Sequence, residues 1–87
     1  MVYYVYLIKT LDNYLKKSYV GYTSDLNKRL KLHNTSKGAK FTKGRKWTLI
    51  YKKCYKSKSL AMRNEYLLKK DYKKRSKIKK KFLNNIQ

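Results

Sequence analysis

The chain has 87 residues, with 25 Lys and Arg against 4 Asp and Glu, and its net charge of +21 strains a folded domain unless a polyanion, most commonly nucleic acid, is nearby. An apolar content of 41%, with ten Tyr, is too high for a disordered tail and suits one domain with a thin core. One Cys and one His exclude an intrachain disulfide and a Cys/His zinc site, and the N-terminal apolar run is too brief for a signal peptide or a membrane span, so the expectation is a soluble intracellular protein with no membrane partner.

Residues Tyr3 to Lys9 are aromatic and β-branched on both faces, the pattern of a central strand, with Tyr4, Tyr6 and Ile8 on one side. Thr10 to Lys17, holding Asp12-Asn13, reads as a turn. Ser18 to Thr23 is a second strand, and so short a connection requires an antiparallel neighbour. Tyr19, Gly21 and Thr23 share a face of it. Glycine weakens a strand, so Gly21 marks either a phosphodiester backbone approaching there or a bulge or tight internal packing.

Ser24 is positioned to cap a helix with Asp25 in its first turn, and Leu26, Leu30 and His33 then share a face with Arg29 beside them. Asn34 to Lys46 is a polar, basic, Gly-bearing loop, and Trp47 to Tyr55 a third strand. Ser57 caps a second helix from Lys58 to about Tyr72, with a buried stripe of Leu60, Ala61, Leu67 and Leu68 and Tyr72 at its edge. From Lys69 to Lys81 nine of thirteen residues are basic, and Ile78, Phe82 and Leu83 fall at the spacing of a short third helix. The expected fold is α+β: one domain over 1–87, a roughly three-stranded antiparallel sheet flanked by helices in the order β-β-α-β-α-(α), ending in a basic helical tail from about residue 69.

Three side chains stand out chemically. Arg29 and His33 are neighbours at i, i+4. With 21 Lys and 4 Arg in the chain, an Arg beside Lys28 points to a planar grip on phosphate, although an ordinary surface Arg is the commoner case. His33 by itself reads as a packed histidine; beside Arg29 it becomes a candidate proton shuttle or phosphate donor. Glu65 is the only Glu. It either pairs with Lys69 at i+4, worth about 0.3–0.5 kcal/mol, or serves as a ligand for a hard divalent cation.

Tyr4-Val5-Tyr6 on the first strand, Tyr19-Val20-Gly21 on the second, then Arg29, His33 and a helical Glu65 form a pattern that resembles the GIY-YIG nuclease superfamily over nearly the whole chain. Tyr4 stands where that pattern begins with Gly. The stretches His33-Asn34, Lys37-Gly38-Ala39-Lys40-Phe41-Thr42 and Ser59-Leu60-Ala61 to Glu65-Tyr66-Leu67-Leu68-Lys69-Lys70 resemble its short single-domain branch, related to structure-specific repair endonucleases. The resemblance implies phosphodiester hydrolysis with one Mg²⁺ or Mn²⁺ per site on Glu65, Tyr6 and Tyr19 as the paired tyrosines, Arg29 on the scissile phosphate and His33 beside them. Asn84 or Asn85 stands for a late Asn of larger members. Gly21, Lys28, Lys40 and Thr42 are the expected nucleic-acid contacts.

The expected activity is a metal-dependent endonuclease on DNA, in repair or related processing, with no small-molecule cofactor. Selection is by structure rather than base sequence, since 87 residues leave no room for a recognition module, and a protein partner is the expected aid to it. Either Tyr6 or Tyr19 serves as base, and dense positive charge favours its phenolate against an ordinary pKa of about 10. Two other readings compete. One is a non-catalytic nucleic-acid-binding domain, holding phosphates on the Lys37–Lys46 loop and the tail and stacking bases on Tyr, Phe41 and Trp47. The other is a basic assembly domain for an acidic protein. The coincidence of Tyr6, Tyr19, Gly21, Arg29 and Glu65 favours the nuclease.

Overall fold

In a computed structural model of the chain, residues 2–11 and 17–85 are described; the turn expected around Asp12-Asn13 lies outside them. Strand β1 (Tyr3–Thr10) is followed by β2 (Ser18–Thr23), helix α1 (Leu26–Asn34), a 3₁₀ turn (Lys40–Thr42), β3 (Trp47–Tyr55), α2 (Lys58–Lys70) and α3 (Tyr72–Asn85). The strands form one antiparallel sheet in the order β2-β1-β3. β1 is central, as its apolar faces require, and Val5, Tyr6, Leu7 and Ile8 are all buried.

The two faces of the sheet carry different helices. Val5, Leu7 and Val20 pack with Ala61 and Leu68 of α2, joined by Ile78 of α3. Tyr6, Ile8 and Trp47 pack on the other side with Leu26 and Leu30 of α1. A bulge in β3 makes this possible. Leu7 pairs with Tyr51 but Ile8 pairs with Leu49, so Ile50 is the extra residue. The slip changes the phase of β3: Ile50 and Tyr51 both pack with the α2 cluster, while Leu49 and Trp47 face α1.

Local chemistry sets the helix ends. Asp25, rather than Ser24, caps α1: its carboxylate accepts from Lys28 N at 3.1 Å, while Thr23 Oγ1 accepts from Asp25 N at 3.1 Å and so holds Asp25 at the cap. Ser57 caps α2 through Leu60 N at 3.2 Å. α2 stops at Lys70 instead of running to Tyr72, because Asp71 leaves helical geometry (ψ 79°) and caps α3 by accepting from Lys74 N at 3.0 Å. The buried stripe of α2 is narrower than its sequence pattern. Ala61 and Leu68 are buried, whereas Leu60, Leu67 and Tyr72 are exposed. One residue is about 100° of helix, so the positions beside Ala61 and Leu68 turn off the thin sheet.

Candidate active site

A cavity of about 400 Å³ opens along edge strand β2, lined by Tyr3, Tyr6, Tyr19, Gly21, Tyr22, Thr23, Ser24, Arg29, Lys58 and Glu65. β1 supplies Tyr6, β2 supplies Tyr19 and Gly21, α1 supplies Arg29, and α2 supplies Glu65. Residues widely separated along the chain thus meet at one place. A larger groove, about 530 Å³, lies between β3, α2 and α3 and has none of these residues in its lining.

Gly21 is what admits Tyr6. The two residues are directly paired in the β1–β2 register. A Cβ at Gly21 would come to 2.6 Å from Tyr6 Cζ and closer still to its hydroxyl, and to 3.1 Å from Tyr19 Cε2. The missing side chain is the slot in which the Tyr6 phenol lies. The close approach expected at Gly21 is therefore internal packing against an aromatic ring.

Behind Tyr6 runs a buried chain of hydrogen bonds. Thr42 Oγ1 donates its proton to the Ala39 carbonyl at 2.8 Å. It therefore accepts from His33 Nδ1, also at 2.8 Å, which leaves His33 Nε2 unprotonated. Nε2 accepts from the Tyr6 hydroxyl at 2.7 Å. Tyr6, His33 and Thr42 are at most 1% exposed. The loop that brings Thr42 here is pinned at its far end: Asn34 accepts from Trp47 N at 2.6 Å and donates to Trp47 O at 3.1 Å, and the Trp47 indole donates to Thr42 O at 3.0 Å. A Cβ at Gly38 would sit 3.1 Å from His33 Cα, so Gly38 lets the loop close over the imidazole.

Burial also sets the protonation states. It pushes the Tyr6 phenol up to about 12, even though the Arg29 guanidinium beside it pulls the other way. His33 is pushed down to about 4, first by burial and then by the Arg29 charge. At neutral pH both groups are uncharged. Here the phenolate expected from positive charge is not the resting form for Tyr6, because desolvation outweighs Arg29.

Glu65 forms the predicted i+4 ion pair with Lys69, at 2.9 Å, and also lines the cavity. It is the single carboxylate in that lining, and no cluster of three His, Cys, Asp or Glu occurs among the described residues. Such a donor set fits an ion that keeps its waters and takes phosphate oxygens, as Mg²⁺ does. It does not fit an ion that needs a protein cage.

The remaining candidates divide. Lys28 and Lys40 are exposed, on α1 and on the 3₁₀ turn. Thr42, expected at a nucleic-acid surface, is fully buried with its hydroxyl committed to His33 and Ala39. Trp47, a proposed stacking residue, is only 3% exposed and belongs to the α1-side core. Asn84 is exposed near the end of α3 and is not part of the cavity lining; the side chain of Asn85 lies outside the described residues. Lys58 and Tyr22 are additions to the site. Lys58 was findable, since it precedes Glu65 by seven residues and so shares its helix face. Tyr22 carries no local signal, and the His33-Asn34 stretch gives none for the bonds that Asn34 makes to Trp47.

Comparison with known proteins is consistent across three kinds of match. The family model for the GIY-YIG catalytic domain matches residues 2–80. A UPF0213 protein of Staphylococcus haemolyticus is 48% identical over 67 residues, covering 76% of this chain and 78% of its own. The UPF0213 protein YazA of Bacillus subtilis is 42% identical over 76 residues, covering 86% and 74% respectively. The solution NMR structure of a UPF0213 protein from Bacillus halodurans shares the fold with a TM-score of 0.52 at 38% identity, covering 90% of this chain and 82% of that one.

Proposed function

This chain belongs to the GIY-YIG catalytic-domain family, a family of nucleases, and on that premise we propose that it is a divalent-metal-dependent endonuclease hydrolysing DNA phosphodiester bonds. The observation that carries this reading is the convergence of Tyr6, Tyr19, Arg29 and Glu65 on one open cavity.

Each residue has a role there. Glu65 is the carboxylate that would hold Mg²⁺ or Mn²⁺, which when bound supplies Lewis-acid stabilisation of the phosphate and the leaving oxygen. Arg29 directs guanidinium donors at charge developing on the phosphate. Tyr6 is the base. The attacking water gives its proton to the Tyr6 oxygen as the Tyr6 proton passes to His33 Nε2, 2.7 Å away, in one relay with no free phenolate. Both partners rest neutral, so no charged base is stored before the reaction. Tyr19 flanks the same cavity and orients substrate.

The surrounding charge fits a polyanion. Exposed Lys28 and Lys40 are proposed phosphate contacts, and about six such contacts would lose on the order of 10³-fold or more affinity between 50 and 200 mM salt. Selection by DNA structure, a role in repair processing inside the cell and help from a protein partner are part of the same proposal.

The test is an Mg²⁺ and Mn²⁺ cleavage panel on single-stranded, duplex and branched DNA with wild type, Glu65→Ala and Arg29→Ala. Cleavage by wild type alone supports the reading. Equal cleavage by all three proteins means a contaminant, and none by any of them returns the chain to a binding domain.

A further inference from the structure

The turn that buries Thr42 forces its neighbour outward. Thr42 N donates to Ala39 O at 3.0 Å, and with Thr42 at 0% exposure the adjacent Phe41 is left 44% exposed. One side of the Phe41 ring meets the buried Trp47, with centroids 6.1 Å apart, and the turn leaves the rest of the residue to solvent.

Phe41 stands beside the cavity. Its ring is stacked on that of Tyr19, with centroids 6.2 Å apart and planes 21° apart. Tyr19 in turn lines the cavity with Arg29 and Glu65. Arg45 lies 5.4 Å from the Phe41 centroid and donates from Nη1 to Phe41 O at 2.8 Å, which orients its planar guanidinium over the turn. The Arg45 Nε–H is buried without an acceptor. Around this pair the same loop exposes Lys37, Lys40, Lys43 and Lys46, and residues 35–46 contain no acid. An aromatic face, a guanidinium plane and a ring of lysines is the composition that binds an unpaired nucleotide: bases stack, and phosphates meet cations. A base inside a duplex has both faces covered by its neighbours, so the base that fits is an unpaired one.

We propose that Phe41 and Arg45 form a stacking platform for an unpaired DNA base in the strand that flanks the bond at the Tyr6–Glu65 cavity. This rests on the nuclease reading for the location of that bond. It adds the residue by which a structure-selective enzyme distinguishes a branch or single-stranded flank from plain duplex.

The test is equilibrium binding, with no cleavage required. Glu65→Gln protein, in EDTA, is titrated with a blunt DNA duplex, with the same duplex carrying a single-stranded flank, and with that flank made abasic. In this background Phe41→Ala should weaken binding of the flanked duplex about 5- to 150-fold and leave the blunt duplex and the abasic flank unchanged. Phe41→Trp should restore it. Phe41→Leu, which keeps apolar packing on Tyr19 but has no π face, should lose it as Ala does. Equal losses on all three DNAs, no loss on any, or wild-type-like binding by Phe41→Leu would overturn the proposal. Failure here with intact metal-dependent cleavage removes the platform alone. A retained flank preference in a protein that never cleaves removes the nuclease reading alone.

Discussion

The Tyr6 hydroxyl ends 2.7 Å from Nε2 of His33, the single histidine of the chain, and donates its proton to it. Both side chains are neutral at pH 7 for the same reason, since each is buried and a charge on either would be desolvated. The pair therefore sets a weak base against a weak acid, and this has thermodynamic consequences outside any reaction.

Stability should fall at both ends of the pH range. His33 binds its proton more weakly folded (about 4) than unfolded (6.5), so its contribution is complete above pH 6.5 and is lost as pH falls through 4, on the order of 3 kcal/mol. Tyr6 holds its proton more tightly folded (about 12) than unfolded (10.0), so its share is complete below pH 10 and is lost as pH rises through 12. Urea denaturation across pH should show the acid-side loss in wild type and a flatter profile in His33→Phe. An equally steep acid limb in that variant would place the titration elsewhere.

Thr42→Val should act through His33. The substitution removes the acceptor of Nδ1–H without changing shape, and leaving that buried donor unpaired costs about 1–3 kcal/mol. Released from it, the imidazole is free to carry its proton on Nε2, where it can no longer accept from Tyr6. Cleavage should drop about 10- to 100-fold, the usual range for a lost orienting partner, and Thr42→Ser should recover it. The ¹⁵N shifts of the one imidazole report the tautomer directly. An unchanged pattern in Thr42→Val would separate Thr42 from any positioning role.

Gly21→Ala should displace the Tyr6 ring, because the new methyl lies 2.6 Å from Cζ. Overpacking of this kind costs about 1–3 kcal/mol, and cleavage should fall to the level of Tyr6→Phe. The cost should shrink when Tyr6 is also cut to Ala. A double-mutant cycle on unfolding free energy measures this, and additive losses would contradict the contact.

Lys69→Met should change metal dependence more than stability. Lys69 is half exposed while Glu65 is only 17% exposed, and an i, i+4 pair with one solvated partner contributes about 1 kcal/mol or less. The same carboxylate is the proposed ligand, so Lys69 competes with the cation for it. Removing that competitor should lower the Mg²⁺ concentration for half-maximal cleavage several-fold. A midpoint that stays put or rises would mean that Lys69 orients Glu65 instead.

Much of this molecule was legible because its signals are local. β2 and β3 begin and end where the apolar runs do, Ser57 caps the helix it precedes, Leu26, Leu30 and His33 share a face, and Glu65 meets Lys69 at i+4. Periodicity and capping act within a few residues and need no knowledge of what lies across the sheet. The α2 stripe is correct in phase but narrower and shorter than expected, since its width depends on how much sheet lies beneath it and Asp71 ends the helix before Tyr72.

The amino-acid order by itself determined the strands and helices, the central position of β1 and, through the family resemblance, the choice of Tyr6, Tyr19, Arg29, His33 and Glu65 as the residues to watch. Tertiary structure alone decided what they do to one another. Gly21 serves Tyr6 across a strand pair, Thr42 sets the proton on His33 from inside a loop, and burial keeps a phenol neutral in a protein of charge +21. Register, loop path and desolvation arise from contacts between distant segments, and no spacing along the chain encodes them.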